Sequence, residues 1–87
     1  IKRVALCGGS GDFLLGEAIK QGADAFLTGE MGYHQFFGYD HQILIAALGH
    51  YQSEQFTVQL MANILRDAIP NLRIVETSIN TNPIHYL

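Results

Sequence analysis

Basic residues are scarce in this sequence. Five Lys and Arg stand scattered over 87 positions against eight Asp and Glu, for a net charge of −3. Such a chain has no basic stripe to neutralise phosphates, which argues against a nucleic-acid-binding module. Cysteine occurs once, at Cys7. A single thiol excludes an internal disulfide framework and suits a reducing cytosol. Long apolar runs are missing as well: none approaches the ~20 residues that span a bilayer, and no signal-peptide pattern opens the chain. Charged residues make up only 15% of the total while apolar ones reach 48%. That balance excludes a disordered tail and leaves apolar surface for a partner.

The length suits one domain, which would bury only ~60–65% of the surface its unfolded chain exposes. The first residue is Ile, followed at once by strand-like sequence. The chain therefore reads as a piece of a longer protein.

Arg3 to Cys7 has the composition of a short buried strand, broken by Gly8, Gly9 and Gly11. From Asp12 to about Gln21, Leu14, Leu15, Ala18 and Ile19 recur at helical spacing, with Ser10 or Asp12 as cap and Gly22 past the end. Asp24 to Thr28 predicts a second strand, and Met31 to about Gly38 a short aromatic helix or turn. Ile43 to Leu48 is an apolar run of the kind that forms a central parallel strand covered on both faces. A long helix is expected from about Tyr51 to Ala68, with Phe56, Leu60, Met61, Ile64, Leu65 and Ala68 in one stripe. Pro70 stops it, Leu72 to Glu76 predicts a fourth strand, and Asn80 to Pro83 a loop. The class is α/β: a mostly parallel sheet of about four strands with alternating helices, a half-domain of a larger αβα protein.

Parallel sheets gather ligands where strands run into helices. Three such ends stand out. Gly49 to Glu54 follows the apolar run and opens the longest helix; His50 and Glu54 are one helical turn apart and point the same way. Imidazole and carboxylate on one face make a divalent-metal pair, and the carboxylate can bridge two ions. The plainer reading is a helix start, with His50 as cap and Glu54 answering the positive N-terminus. At the second end, Glu30 and His34 repeat the spacing. They read as supports of a site, as an acid–base pair near a substrate, or as a solvated carboxylate and a histidine packed among Tyr33 and Phe37. At the first end, Gly8 to Gly11 forms either an anion-binding nest or simply a tight turn; it fits neither G-x-G-x-x-G nor a P-loop. Cys7 reads as a small core residue, and His41 and His85 carry no assignable role.

Taken together, several segments resemble one family in order and spacing: V-A-L-C-G-G-S-G from Val4, G-A-D-A-F-L-T-G-E from Gly22, Tyr33-His34, G-H-Y-Q-S-E-Q-F from Gly49, and N-T-N-P-I from Asn80. It is the NIF-three-like family, also called GTP cyclohydrolase 1 type 2 homologues, and the resemblance is to its C-terminal segment. The resemblance implies a cytoplasmic protein with a dinuclear metal centre, assembled as a toroidal hexamer, some members carrying an inserted domain before this segment. It implies that His50 and Glu54 occupy the ligand positions of the G-H-x-x-S-E motif. The other ligands, a His-His pair and an Asp of the N-terminal half, have no counterpart here. Tyr33 and His34 match a motif near the metal cleft, and Glu30 stands where many relatives have Asp.

Two functions follow as expectations. One is a metal-dependent hydrolase acting on a small molecule through two divalent ions per full-length subunit, with Zn, Mn, Fe and Mg all admissible; His50 and Glu54 are ligands, and His34 or Glu30 carries the proton. The other is a non-enzymatic module whose metal governs homo-oligomerisation or a regulatory signal. In isolation the chain is expected to be inactive and to hold metal weakly or not at all, since a catalytic ion usually needs three protein donors.

Overall fold

The computed structural model describes residues 1–87, which divide into two compact units, Ile1–Glu54 and Gln55–Leu87. The first unit holds a three-stranded parallel sheet in the order β1 (Val4–Ser10), β2 (Ala25–Glu30), β3 (Leu44–Ala47). Between β1 and β2 lie a 3-10 turn, Asp12–Leu14, and helix α1, Leu15–Lys20; a second 3-10 turn, Tyr33–Phe36, lies between β2 and β3. Helix α2, His50–Glu54, follows β3 and ends the unit.

The core is small and centred on β2. Leu15, Ala18, Ala23, Phe26 and Met31 form it, flanked by half-buried Ala5, Cys7, Ile19, Tyr39, Ile43 and Ile45. Cys7 thus packs as the small core residue its strand position predicts. Alternation along β1 places Ala5, Cys7 and Gly9 toward cover and Val4, Leu6 and Gly8 toward solvent, the period of a strand with one buried face. Gly22 follows α1 at φ +77°, as expected for a residue past a helix end. Gly16, within α1, has no neighbour within contact distance of a Cβ, so its helix cost of about 1 kcal/mol relative to Ala stands uncompensated.

Asp24 fastens the entry to the sheet. Its Oδ2 accepts from the backbone N–H of both Lys2 and Arg3 at 2.8 Å, and its own N–H donates to Arg3 O at 2.8 Å. These two donors are the main reason its carboxyl is held below the ordinary value of 3.8. A depressed folded-state pKa contributes stability above the unfolded value that is lost as pH falls through the folded one. Asp24→Asn is therefore expected to flatten the acid side of the stability–pH curve below about pH 4, leaving its neutral limb parallel to the native one. Urea midpoints measured across that window check this.

Sequence and structure differ in four places. The β1 strand does not stop at Cys7: Cys7 pairs with Thr28 and Ser10 with Glu30, so Gly8 and Gly9 together face Gly29 in a bulge. Two residues without side chains let the chain take up the extra length while keeping its ladder. The apolar run Ile43 to Leu48 supplies an edge strand, since β3 pairs with β2 alone and β2 is the central one. Leu72 to Glu76 forms no strand; β-prone residues need a neighbouring backbone to ladder with, and here Glu76 Oε2 instead accepts from Arg66 Nη2 at 2.9 Å. Finally, the long helix is two helices, α2 and α3 (Thr57–Ala68), separated by a turn at Gln55 and Phe56.

In the second unit, α3 carries the expected stripe on its surface: Leu60, Met61 and Ile64 are each more than half exposed, and Ala62 is the buried residue. The tail is held by local turns, in which Thr77, Asn80 and Asn82 side chains accept the backbone N–H two residues on. The loop expected at Asn80 to Pro83 is present. No helix is long and apolar enough to cross a membrane.

Candidate metal half-site

Because all three strands are parallel, their carboxyl ends lie on one rim, and the three sequence segments singled out there come together. The turn from β3 into α2 needs a left-handed residue, which Gly49 supplies at φ +92°. His50 then opens α2 and Glu54 closes it. Being in one helix, they do share a face: His50 Nε2 lies 3.3 Å from Glu54 Oε1. The other ring nitrogen, Nδ1, lies 2.8 Å from Glu30 Oε2, at the end of β2. Each of the three side chains is about half exposed.

The turn is braced from below. Ser53 Oγ donates to His50 O at 3.0 Å, and Ser53 N donates to Gly49 O at 3.0 Å. Thr28, buried in β2, accepts from Gly11 N at 3.0 Å and donates to Gly9 O at 3.1 Å. With Gly11 N so engaged and the glycine segment laddered to Ser10, this stretch is a bulged strand end and tight turn rather than an anion nest. Thr28 escapes a sequence reading because threonine is an ordinary strand former; a hydroxyl inside an otherwise apolar buried strand is the signal that marks it.

Bulge and helix together leave a small space. A Cβ placed on Gly9 would stand 3.5 Å from Glu54 Oε1 and 3.7 Å from His50 Nε2. Both donor atoms thus border the volume that a side chain at position 9 would fill.

Electrostatically, the arrangement asks for positive charge. Glu30's hydrogen bond is the largest influence raising the His50 pKa, followed by the charge of Glu54. A carboxylate only accepts, so Nδ1 carries the hydrogen shared with Glu30. A neutral ring would then set its Nε2 lone pair against the Glu54 carboxylate. Either a proton on Nε2 or a cation held between the two atoms relieves that opposition. The donor chemistry therefore fits a divalent ion, as one part of its shell, and Gly9 has no side chain to cover the two donor atoms. They do not complete one: no group of three or more His, Cys, Asp or Glu converges on a common point, since Glu30 meets the imidazole on its far side.

His34 stands apart from this cluster. It lies exposed in the Tyr33–Phe36 turn, with its ring edge-on to Tyr33 at 5.1 Å. The four-residue spacing from Glu30 does not bring the pair together, because Gly32 is extended between them (ψ 144°) and no helix spans both. His41, at φ +62°, is exposed and takes no part, and His85, in the second unit, is exposed.

Comparison with known proteins finds matches over nearly the whole chain. The family model Duf34/NIF3 (NGG1p interacting factor 3) matches residues 1–83. The GTP cyclohydrolase 1 type 2 homolog of Campylobacter jejuni is 39% identical over 87 residues, covering 99% of this chain and 34% of that protein. The homolog so named in Lactococcus lactis is 37% identical over 90 residues, covering 98% and 33%. The crystal structure of Staphylococcus aureus protein SA1388 superposes with a TM-score of 0.71 at 28% identity, over 97% of this chain and 29% of that one. The chain spans about a third of the length of the curated relatives it matches.

Proposed function

We propose that this chain, which belongs to the Duf34/NIF3 family, supplies one half of a dinuclear divalent-metal site in a metal-dependent hydrolase. The observation that carries the reading is the approach of His50 Nε2 and Glu54 Oε1 to 3.3 Å beside Gly9, which has no side chain to cover them. His50 and Glu54 are the ligands; the remaining donors come from outside this chain, since its own rim holds too few. Zn, Mn, Fe and Mg all accept an imidazole–carboxylate pair. When bound, two such ions activate water for attack on a phosphate ester or a cyclic amidine-type bond. The name carried by the relatives, GTP cyclohydrolase 1 type 2 homolog, supports the second bond class. Of the two proton carriers expected, Glu30 is engaged with His50, which leaves His34, in the turn that follows β2, as the carrier of this reading.

Metal content per subunit tests the proposal. Elemental analysis of the full-length protein is expected to give about two ions, and one or none in the His50→Ala, Glu54→Ala double variant. Equal content in both would reduce His50 and Glu54 to a helix start.

A second reading rests on a different observation, the exposed apolar stripe of α3. Here the metal holds a homo-oligomer together or relays a regulatory signal, and no substrate is turned over. Size measurement before and after chelation separates the two: an assembly that falls apart, with no hydrolysis, favours this one, and an assembly that survives counts against it.

A further inference from the structure

We infer that Glu30 is a positioning residue, which acts through Nδ1 of His50 to commit that imidazole to a divalent cation through Nε2. This rests on the metal reading above and deepens it, by giving the β2 carboxylate the task of selecting which ring nitrogen faces the ion.

The two nitrogens of an imidazole lie on different edges of the ring, and a neutral ring carries one N–H and one lone pair. Which nitrogen keeps the lone pair depends on where the N–H finds an acceptor. Glu30 Oε2 stands 2.8 Å from Nδ1, the length of a charge-assisted bond. Nδ1 thereby holds the hydrogen, and the lone pair falls to Nε2. That nitrogen is the one beside Glu54 Oε1, next to the side-chain-free Gly9.

An outside holder is needed. His50 is the first residue of a five-residue helix and its side chain is 48% exposed, so packing alone does not fix its ring. Glu30 comes from a different element and is itself placed by the sheet, through its pairing with Ser10 across the bulge. The contact joins the end of β2 to the start of α2. Because Glu30 is 60% exposed, its bond adds little to stability. What it adds is direction. A proton carrier would need its carboxylate free to reach substrate, whereas this one is turned toward an imidazole.

Zn²⁺ affinity of the full-length protein, measured by competition with a chromogenic chelator, tests the inference in four forms: native, Glu30→Ala, Glu30→Gln and His50→Ala. Glu30→Ala is expected to weaken binding by about 10–100-fold with its melting temperature unmoved. Glu30→Gln still offers a carbonyl oxygen to Nδ1–H and is expected to stay near native, well clear of that range. Nitrogen NMR of labelled histidine in the metal-free protein, at a pH above the titration of His50, should show the Nδ1–H tautomer in native and Glu30→Gln and its loss in Glu30→Ala. If Glu30→Ala binds Zn²⁺ as native does while His50→Ala does not, the inference falls and the metal reading stands. If Glu30→Gln is as weak as Glu30→Ala, charge and not orientation is what Glu30 contributes, and the inference is again overturned. If His50→Ala binds as native does, both fall together.

Discussion

Replacing Gly29 with alanine is expected to destabilise the chain by about 3 kcal/mol, the upper part of the usual cost of overpacking, and to disturb the half-site in the same stroke. A Cβ at position 29 would lie 2.8 Å from Gly9 O, 2.9 Å from Ser53 Oγ and 3.3 Å from Gly9 N. The serine hydroxyl can swing aside, but only by giving up its bond to His50 O. The Gly9 backbone has no such freedom, because it sits in the bulge of β1 opposite Gly29 itself. The methyl therefore pushes β2 away from the β1 end, from the α2 turn, or from both. In a chain this small the loss corresponds to a fall in melting temperature on the order of 10–20 °C. Gly8→Ala is the control. It lies in the same bulge with nothing within 4 Å of its Cβ and should melt close to the native temperature. Should Gly29→Ala melt there too, the close approach of β1, β2 and α2 at this point would be wrong.

What the sequence discloses follows from which interactions are local. His50 and Glu54 are legible because one helical turn contains both, and α2 delivers that geometry without help from the rest of the fold. The same spacing misleads for Glu30 and His34, since it applies only where a helix runs through both residues and extended Gly32 intervenes. Glu30's contact with His50 is hidden for the opposite reason: 20 residues separate them, and only the parallel register and the bulge bring them into reach. The alternation of strand and helix is legible from apolar periodicity, and the parallel sheet follows from it. The rank of a strand within the sheet does not. Ile43 to Leu48 and Leu72 to Glu76 have suitable side chains, yet a ladder depends on which backbones lie alongside; the first pairs on one side only and the second not at all. Such neighbours are set by chain-wide topology, which residue type encodes weakly.

Thr28→Val isolates the hidden support beneath the site and is expected to cost about 2–4 kcal/mol for the hydrogen bonds it makes to two backbone groups. Valine matches threonine in shape, so packing around this buried position is nearly conserved. The change removes the oxygen that accepts from Gly11 N and donates to Gly9 O. Gly11 cannot adjust by moving inward, because the Cβ space it faces is already filled by Thr28 Oγ1 and the Cys7 side chain. Thr28→Ser provides the contrast: it keeps the hydroxyl and gives up a methyl group, a loss of about 1 kcal/mol. Serine should therefore be the milder substitution in a thermal melt, and amide exchange at Gly11 should quicken in the valine variant alone. The reverse order would mean that Thr28 acts through its methyl group, as core filling. The expected order would mean that a single hydroxyl holds the bulge in which Gly9 borders His50 and Glu54, and under the proposed metal reading the metal affinity of the valine variant should then fall along with its stability.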